Sequence, residues 1–121
     1  MRILICDDNA DAAFSIEVLL SLERHETQIC SDGQTCVEKA RLWKPQVAFL
    51  DIGLPEMSGY AVARAIRALD FGPEILLVAV TGWGAPEDVR LAKEAGFDLH
   101  FTKPADPVAL LRVVSRQAGS A

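Results

Sequence analysis

The chain has 121 residues, 50% hydrophobic and 24% charged, with a net charge of −5. That is one domain's length, enough to bury roughly two thirds of the unfolded surface, so a core without staples is expected. The acidic balance argues against direct nucleic-acid binding, because a phosphate backbone wants a basic face. No apolar run approaches the roughly 20 residues of a bilayer span, and Met-Arg-Ile-Leu-Ile is too short for a signal peptide. A cytoplasmic chain without membrane insertion is expected.

Arg2 to Cys6 predicts a first strand, ended by Asp7, Asp8 and Asn9. A helix follows from about Ala10 to Glu23, with Asp8 or Asn9 as its cap and Phe14, Val18, Leu19 and Leu22 at helical spacing. Arg24 and His25 place basic groups near its carboxyl end. Glu26 to Cys30 reads as a more polar, edge strand. Ser31, Asp32 and Gly33 form a turn. Gln34 to Trp43 predicts a second helix, with Val37, Ala40 and Leu42 among its apolar positions and Pro45 as its stop. The apolar run Val47 to Leu50 predicts a strand buried on both faces, ending at Asp51. Ser58 caps a third helix to about Ala68, with Val62, Ile66 and Leu69 as its apolar series.

Gly72 and Pro73 break the chain, and Ile75 to Val80 reads as a fourth strand ending at Thr81. Pro86 opens a fourth helix to about Ala95, terminated by Gly96. Asp98 to Thr102 is the fifth strand, closed by Lys103 and Pro104. Asp106 caps a last helix from Pro107 to about Gln117, and the tail 118–121 is expected to fray. Five strands alternating with five helices through short connections imply right-handed crossovers and a parallel α/β sheet with helices on both faces. No repeat, linker or second domain is evident.

The three cysteines, Cys6, Cys30 and Cys36, lack CxxC spacing and read as small buried hydrophobes. His25 and His100 lie in unrelated segments, which argues against zinc. A redox role for Cys30 and Cys36 has little behind it.

The chemistry-bearing residues fall at strand ends: Asp7 and Asp8 after the first, Asp51 after the third, Thr81 after the fourth and Lys103 after the fifth. In an open parallel sheet all of these meet at one edge, where ligands bind. Asp8 alone reads equally well as a helix cap. Three carboxylates, a hydroxyl and an amine at four strand ends are harder to explain that way, because clustered like charges cost stability unless compensated. A hard divalent cation compensates them, and Mg²⁺ binds through one or two carboxylates while keeping waters. Asp8 and Asp51 are the expected direct ligands, with a loop carbonyl near Gly53. Asp7 acts through water or orients its neighbour. Asp51 is then a nucleophile for a phosphoryl group, Lys103 its fixed counter-charge, and Thr81 a donor to a phosphoryl oxygen.

Together the pair Asp7-Asp8, Asp51 with Leu54-Pro55 and Ser58-Gly59, Thr81-Gly82 and Lys103-Pro104 resemble the receiver domain of two-component response regulators, across essentially the whole chain. The resemblance implies a flavodoxin-like doubly wound sheet of order 2-1-3-4-5. It implies one receiver domain over residues 1–121 without an output domain, Mg²⁺ as cofactor, and phosphorylation of Asp51 by a histidine kinase or histidine-phosphotransfer protein. Such a domain catalyses only its own phosphorylation and dephosphorylation, and signals by protein contact. A stand-alone regulator and the receiver module of a hybrid histidine kinase both fit, and the run Gly96 to Pro104 looks like the latter. The partner face is expected near the first, fourth and fifth helices, with Phe14 and Trp83 as anchors. The Lys103-Pro104 bond is commonly cis in the family.

The family couples its hydroxyl residue, here Thr81, to an aromatic three residues before the lysine. Here that position is His100, so the switch departs from the usual pattern; the plainer reading of His100 is a half-exposed polar residue. Phe101 is adjacent but alternation turns it to the other face. The lifetime-tuning positions are Gly53 and Trp83, neither of which holds an attacking water. Trp83 shields the anhydride and slows its hydrolysis, or is an exposed aromatic at a docking surface. Three other classes remain. A pseudo-receiver binding module would have an incomplete acidic site. A phosphohydrolase with an Asp nucleophile usually carries a second Asp where Gly53 stands. A flavin-binding relative would need a phosphate-cradling loop after the first strand.

Overall fold

The computed structural model describes residues 1–119. Five strands, β1 (Arg2–Cys6), β2 (Glu26–Cys30), β3 (Val47–Leu50), β4 (Leu76–Thr81) and β5 (Leu99–Thr102), form one parallel sheet in the order β2-β1-β3-β4-β5. Helices α1 (Ala10–Ser21), α2 (Gly33–Trp43), α3 (Gly59–Arg67), α4 (Pro86–Ala95) and α5 (Pro107–Gly119) alternate with them, and a 3₁₀ turn spans Gly72–Glu74.

The aliphatic runs become buried strands because each face of the sheet is covered. Alternation along β3 sends Val47 and Phe49 to the side of α1 and α5, where they meet Ile16, Leu20, Leu110 and Val114. Ala48 and Leu50 go to the opposite side, against Val62 and Ile66 of α3 and Ala92 of α4. The more polar β2 lies at one edge of the sheet, as its composition implies.

Local chemistry sets the ends. Asn9, not Asp8, caps α1: its side chain accepts from the backbone N–H groups of Asp11 and Ala12. Asp32 and Ser58 cap α2 and α3. Asp106 accepts from Val108 N–H at the start of α5. Gly96, at φ 112°, ends α4 in the left-handed conformation that glycine adopts freely. Gly59 is needed for another reason. A Cβ there would meet the Asp51 carbonyl oxygen at 2.5 Å, so only glycine lets α3 start this close to the end of β3.

The expected apolar stripe of α1 is corrected. Phe14, Val18 and Leu22 are exposed, and the buried face is Ala13, Ile16 and Leu20, with Leu19 packed beside it. Two apolar stripes share this helix, both at helical spacing, and the one with the smaller residues faces the sheet. Leu42 of α2 is likewise exposed, while Ala40 is buried as expected and Cys36 is buried with it. α1 ends at Ser21, so Arg24 and His25 lie beyond its last turn. α2 ends before Pro45 because Lys44 takes a left-handed conformation, φ 53°. β4 and β5 each start one residue later than expected, and α5 continues through Ala118 to Gly119. The rest of the tail, 120–121, lies outside the described residues.

Arg67 closes the end of the domain remote from the carboxylates. All five of its donors are used: Nε and Nη2 reach the Gly96 carbonyl, Nη1 reaches the carbonyls of Gly72 and Ile75, and Nη2 also meets Asp98. Asp98 in turn accepts from Leu77 N–H in β4. Arg67→Met strips partners from three carbonyls and a carboxylate, so it should cost about 2–4 kcal/mol of stability in urea unfolding. A loss under about 1 kcal/mol would mean that water replaces the clamp.

Candidate functional site

The sheet delivers its polar residues to one edge at different distances from Asp51. Asp51 follows β3, Asp7 follows neighbouring β1, and the Asp51 N–H is fixed by the Cys6 carbonyl at 2.9 Å. The three carboxylates of Asp7, Asp8 and Asp51 lie within 4.8 Å of one another. Asp7 is 4% exposed and Asp8 is open to solvent. Asn9 takes over the helix cap, which leaves Asp8 without that structural duty.

Lys103 closes the cluster. Its Nζ donates to Asp7 Oδ2 at 2.7 Å and to Asp51 Oδ2 at 3.0 Å. The reach is long because β4 separates β5 from β3. The Lys103 N–H bonds the Thr81 carbonyl at 2.7 Å, which ties the two strand ends together, and the Lys103–Pro104 peptide is cis. Burial works against the charge on Lys103, but the hydrogen bonds to Asp7 and Asp51 outweigh it and raise its pKa above the ordinary 10.5. The ammonium is therefore a fixed positive charge.

The remaining oxygens of the acids are held from the backbone. Asp7 Oδ1 accepts from Asn9 N–H at 2.9 Å and Asp51 Oδ1 from Gly53 N–H at 3.1 Å. Asp51 is thus oriented by two donors while its side chain stays 12% exposed, open to a reactant from the edge. Thr81 is fully buried and its hydroxyl oxygen accepts from Trp83 N–H at 3.2 Å. That bond leaves the hydroxyl proton available to another oxygen.

Trp83 lies over the loop beside Asp51. A Cβ at Gly53 would stand 3.5 Å from the indole Cζ2 and 3.9 Å from Asp51 Oδ1. About half of Trp83 is exposed. His100 is in register with Ala79, two residues before Thr81 on β4, so His100 and Thr81 leave the sheet on the same side. Its Nε2 is buried and has no hydrogen-bond partner among the described residues. Phe101 packs on the other side, with the core of α1 and α5.

The structure brings Asp7, Asp8, Asp51 and Lys103 together, and Thr81 is tied to Lys103 through its backbone carbonyl. Two features were not legible. Lys103 pairs with Asp7 as closely as with Asp51, which depends on side-chain reach across two strands. The three cysteines converge to within 4.8 Å, and only the register of β1 with β2 could have shown that.

These features match those of known proteins. The response regulator receiver domain family matches residues 3–115. The DNA-binding response regulator MtrA of Mycobacterium tuberculosis is 34% identical over 110 residues, 91% of this chain and 47% of that protein. The chain thus spans about half the length of such DNA-binding relatives. The receiver domain of a sensor histidine kinase from Pseudomonas aeruginosa, solved with a magnesium ion in its active-site cleft, superposes with a TM-score of 0.89 at 27% identity, covering 98% of this chain and 97% of that one. The receiver domain of a signal transduction histidine kinase from Syntrophus aciditrophicus gives 0.89 at 28% identity, over 99% of this chain and 91% of that one. Nothing in these matches favours a phosphohydrolase or a flavin-binding protein. The family is a signalling domain of two-component systems rather than a classical enzyme, and this chain belongs to it: it is a response regulator receiver domain, with the flavodoxin-like sheet of that family.

Proposed function

We propose that Asp51 is the phosphoacceptor of this receiver domain. It takes a phosphoryl group from the phosphohistidine of a histidine kinase or a histidine-phosphotransfer protein and passes the signal on by protein contact. The observation that carries this reading is the Asp51 carboxylate itself: partly exposed, held by Lys103 and Gly53 N–H, and within 4.8 Å of two further acids. A carboxylate oxygen forms the new O–P bond while the donor's P–N bond breaks, its electron pair stays on the imidazole nitrogen, and the ring takes up a proton from solvent as it leaves.

Three carboxylates facing one ammonium suit a hard divalent cation. Asp8 and Asp51 would hold Mg²⁺ directly with a loop carbonyl near Gly53, and Asp7 would act through water or by orienting them. When bound, the ion offsets negative charge on the phosphoryl oxygens. Lys103 exchanges its hydrogen bond from Asp51 to a phosphoryl oxygen. Thr81 turns its hydroxyl toward another, and the space it leaves lies on the side of the sheet where His100 sits. An imidazole with a buried, unpartnered nitrogen gains a reason to move when that space changes. Outward-facing Phe14 and Val18 on α1 and Leu22 just past its end, with Trp83 at the site's rim, give a partner apolar anchors.

Intact-mass analysis with acetyl phosphate tests the acceptor. One phosphoryl mass should be gained, lost on chelation of Mg²⁺ and absent in Asp51→Asn. No adduct, and no spectral change with beryllofluoride, would sink the reading. Trp83→Ala should shorten the half-life of the adduct roughly threefold to tenfold, about 0.7–1.4 kcal/mol of barrier. An unchanged half-life would make Trp83 a docking residue only. For His100→Ala, normal phosphorylation with weakened phosphorylation-dependent partner binding is expected. Undiminished partner binding would remove His100 from the switch.

A further inference from the structure

All three cysteines of the chain are gathered at one point outside the carboxylate site. Cys6 and Cys30 end β1 and β2 and are cross-strand neighbours in register, so their sulfurs leave the sheet on the same side. Cys36, at the start of α2, comes down onto them, and all three are at most 4% exposed. They are free thiols, and their sulfurs lie within 4.8 Å of one another. Only weak contacts tie them elsewhere: Cys6 Sγ to the Asp32 carbonyl at 3.5 Å and Cys30 Sγ to the Ile5 carbonyl at 3.7 Å.

Such a cluster sorts ions by softness, coordination number and charge. Mg²⁺ and Ca²⁺ want oxygen. Zinc wants four donors, and no fourth cysteine, histidine or carboxylate joins the three among the described residues. Thiolates select Cu⁺, which lone-pair donors satisfy without a demand for a fourth. Charge points the same way. Cu⁺ on two thiolates and one thiol carries a net −1, and a buried charge needs a partner. Lys39 supplies it: its Nζ donates to the carbonyl of Ile29, the residue before Cys30, at 2.9 Å.

We propose that Cys6, Cys30 and Cys36 form a three-coordinate site for a cuprous ion, distinct from the oxygen-lined cluster at the sheet edge. Relative to three thiols, binding forms three Cu–S bonds and releases two protons to solvent. Copper enters and stays as Cu⁺, so no electron is transferred.

The test is an anaerobic titration of the reduced full chain with Cu⁺ in competition with bicinchoninate. One copper per chain is expected, with near-ultraviolet thiolate-to-copper absorption. Cys30→Ala and Cys36→Ala, each checked by circular dichroism, should weaken uptake more than about tenfold, because each removes a ligand. Copper-edge absorption spectroscopy on the native chain needs no variant and should find three sulfur neighbours. Native-level uptake in Cys36→Ala, nitrogen or oxygen in place of sulfur, failure to compete with bicinchoninate, or uptake only with loss of the folded spectrum would overturn the proposal. So would a disulfide among the three that forms in preference to copper binding.

Discussion

The Lys103 ammonium, held between Asp7 and Asp51, is the interaction on which the site depends. Asp7 is buried, and an isolated carboxylate there would lose its hydration without return. The same ammonium restrains Asp51, so both side chains are held in place by one donor. The choice of residue follows from the sheet. Neighbouring strands lie about 4.8 Å apart, so β5 is roughly 10 Å from β3. A long flexible stem can cross that gap above the end of β4, and a short side chain cannot. Thr81, on the intervening strand, is short and fully buried.

The rest of the fold frees these residues for chemistry. Each helix that starts at this edge has its own solution for its first N–H groups: Asn9, Asp32, Ser58 and Asp106 supply oxygens, and Pro86 lacks one N–H outright. Asp8 is thereby released from capping and left in solvent. At the opposite end, Arg67 satisfies the carbonyls of Gly72, Ile75 and Gly96. Polar satisfaction and reactivity are thus divided between the two ends of one sheet.

How much of this was legible depends on which interactions decide each feature. The strands and their edge could be read because aliphatic runs ending in single polar residues have few other solutions. That Asp7, Asp51, Thr81 and Lys103 lie at one edge of the sheet follows from its parallel topology. The buried face of α1 could not be read. Phe14, Val18 and Leu22 form as good a stripe as Ala13, Ile16 and Leu20, and helical spacing does not say which stripe meets the sheet. Tertiary packing decides it, and the bulkier stripe remains outside. The paired contact of Lys103 with Asp7, and the thiol cluster, depend on register and reach, which local sequence does not encode.

The end of β1 shows how one strand keeps two chemistries apart. Successive side chains leave a strand on opposite faces, so Cys6 turns into the core beneath α2 while Asp7 turns to the edge. Soft sulfur donors therefore sit in an apolar, enclosed place, and hard oxygen donors sit where water and a phosphoryl group can reach. The two are joined through the backbone. The Asp7 N–H is bonded to the Cys30 carbonyl at 3.1 Å, and the Asp51 N–H to the Cys6 carbonyl. A shift of the cysteine backbone is thus carried to both acids by hydrogen bonds rather than by side-chain contact. The hydrogen bonds that fix the backbone of Asp7 and Asp51 also fix the backbone of Cys30 and Cys6.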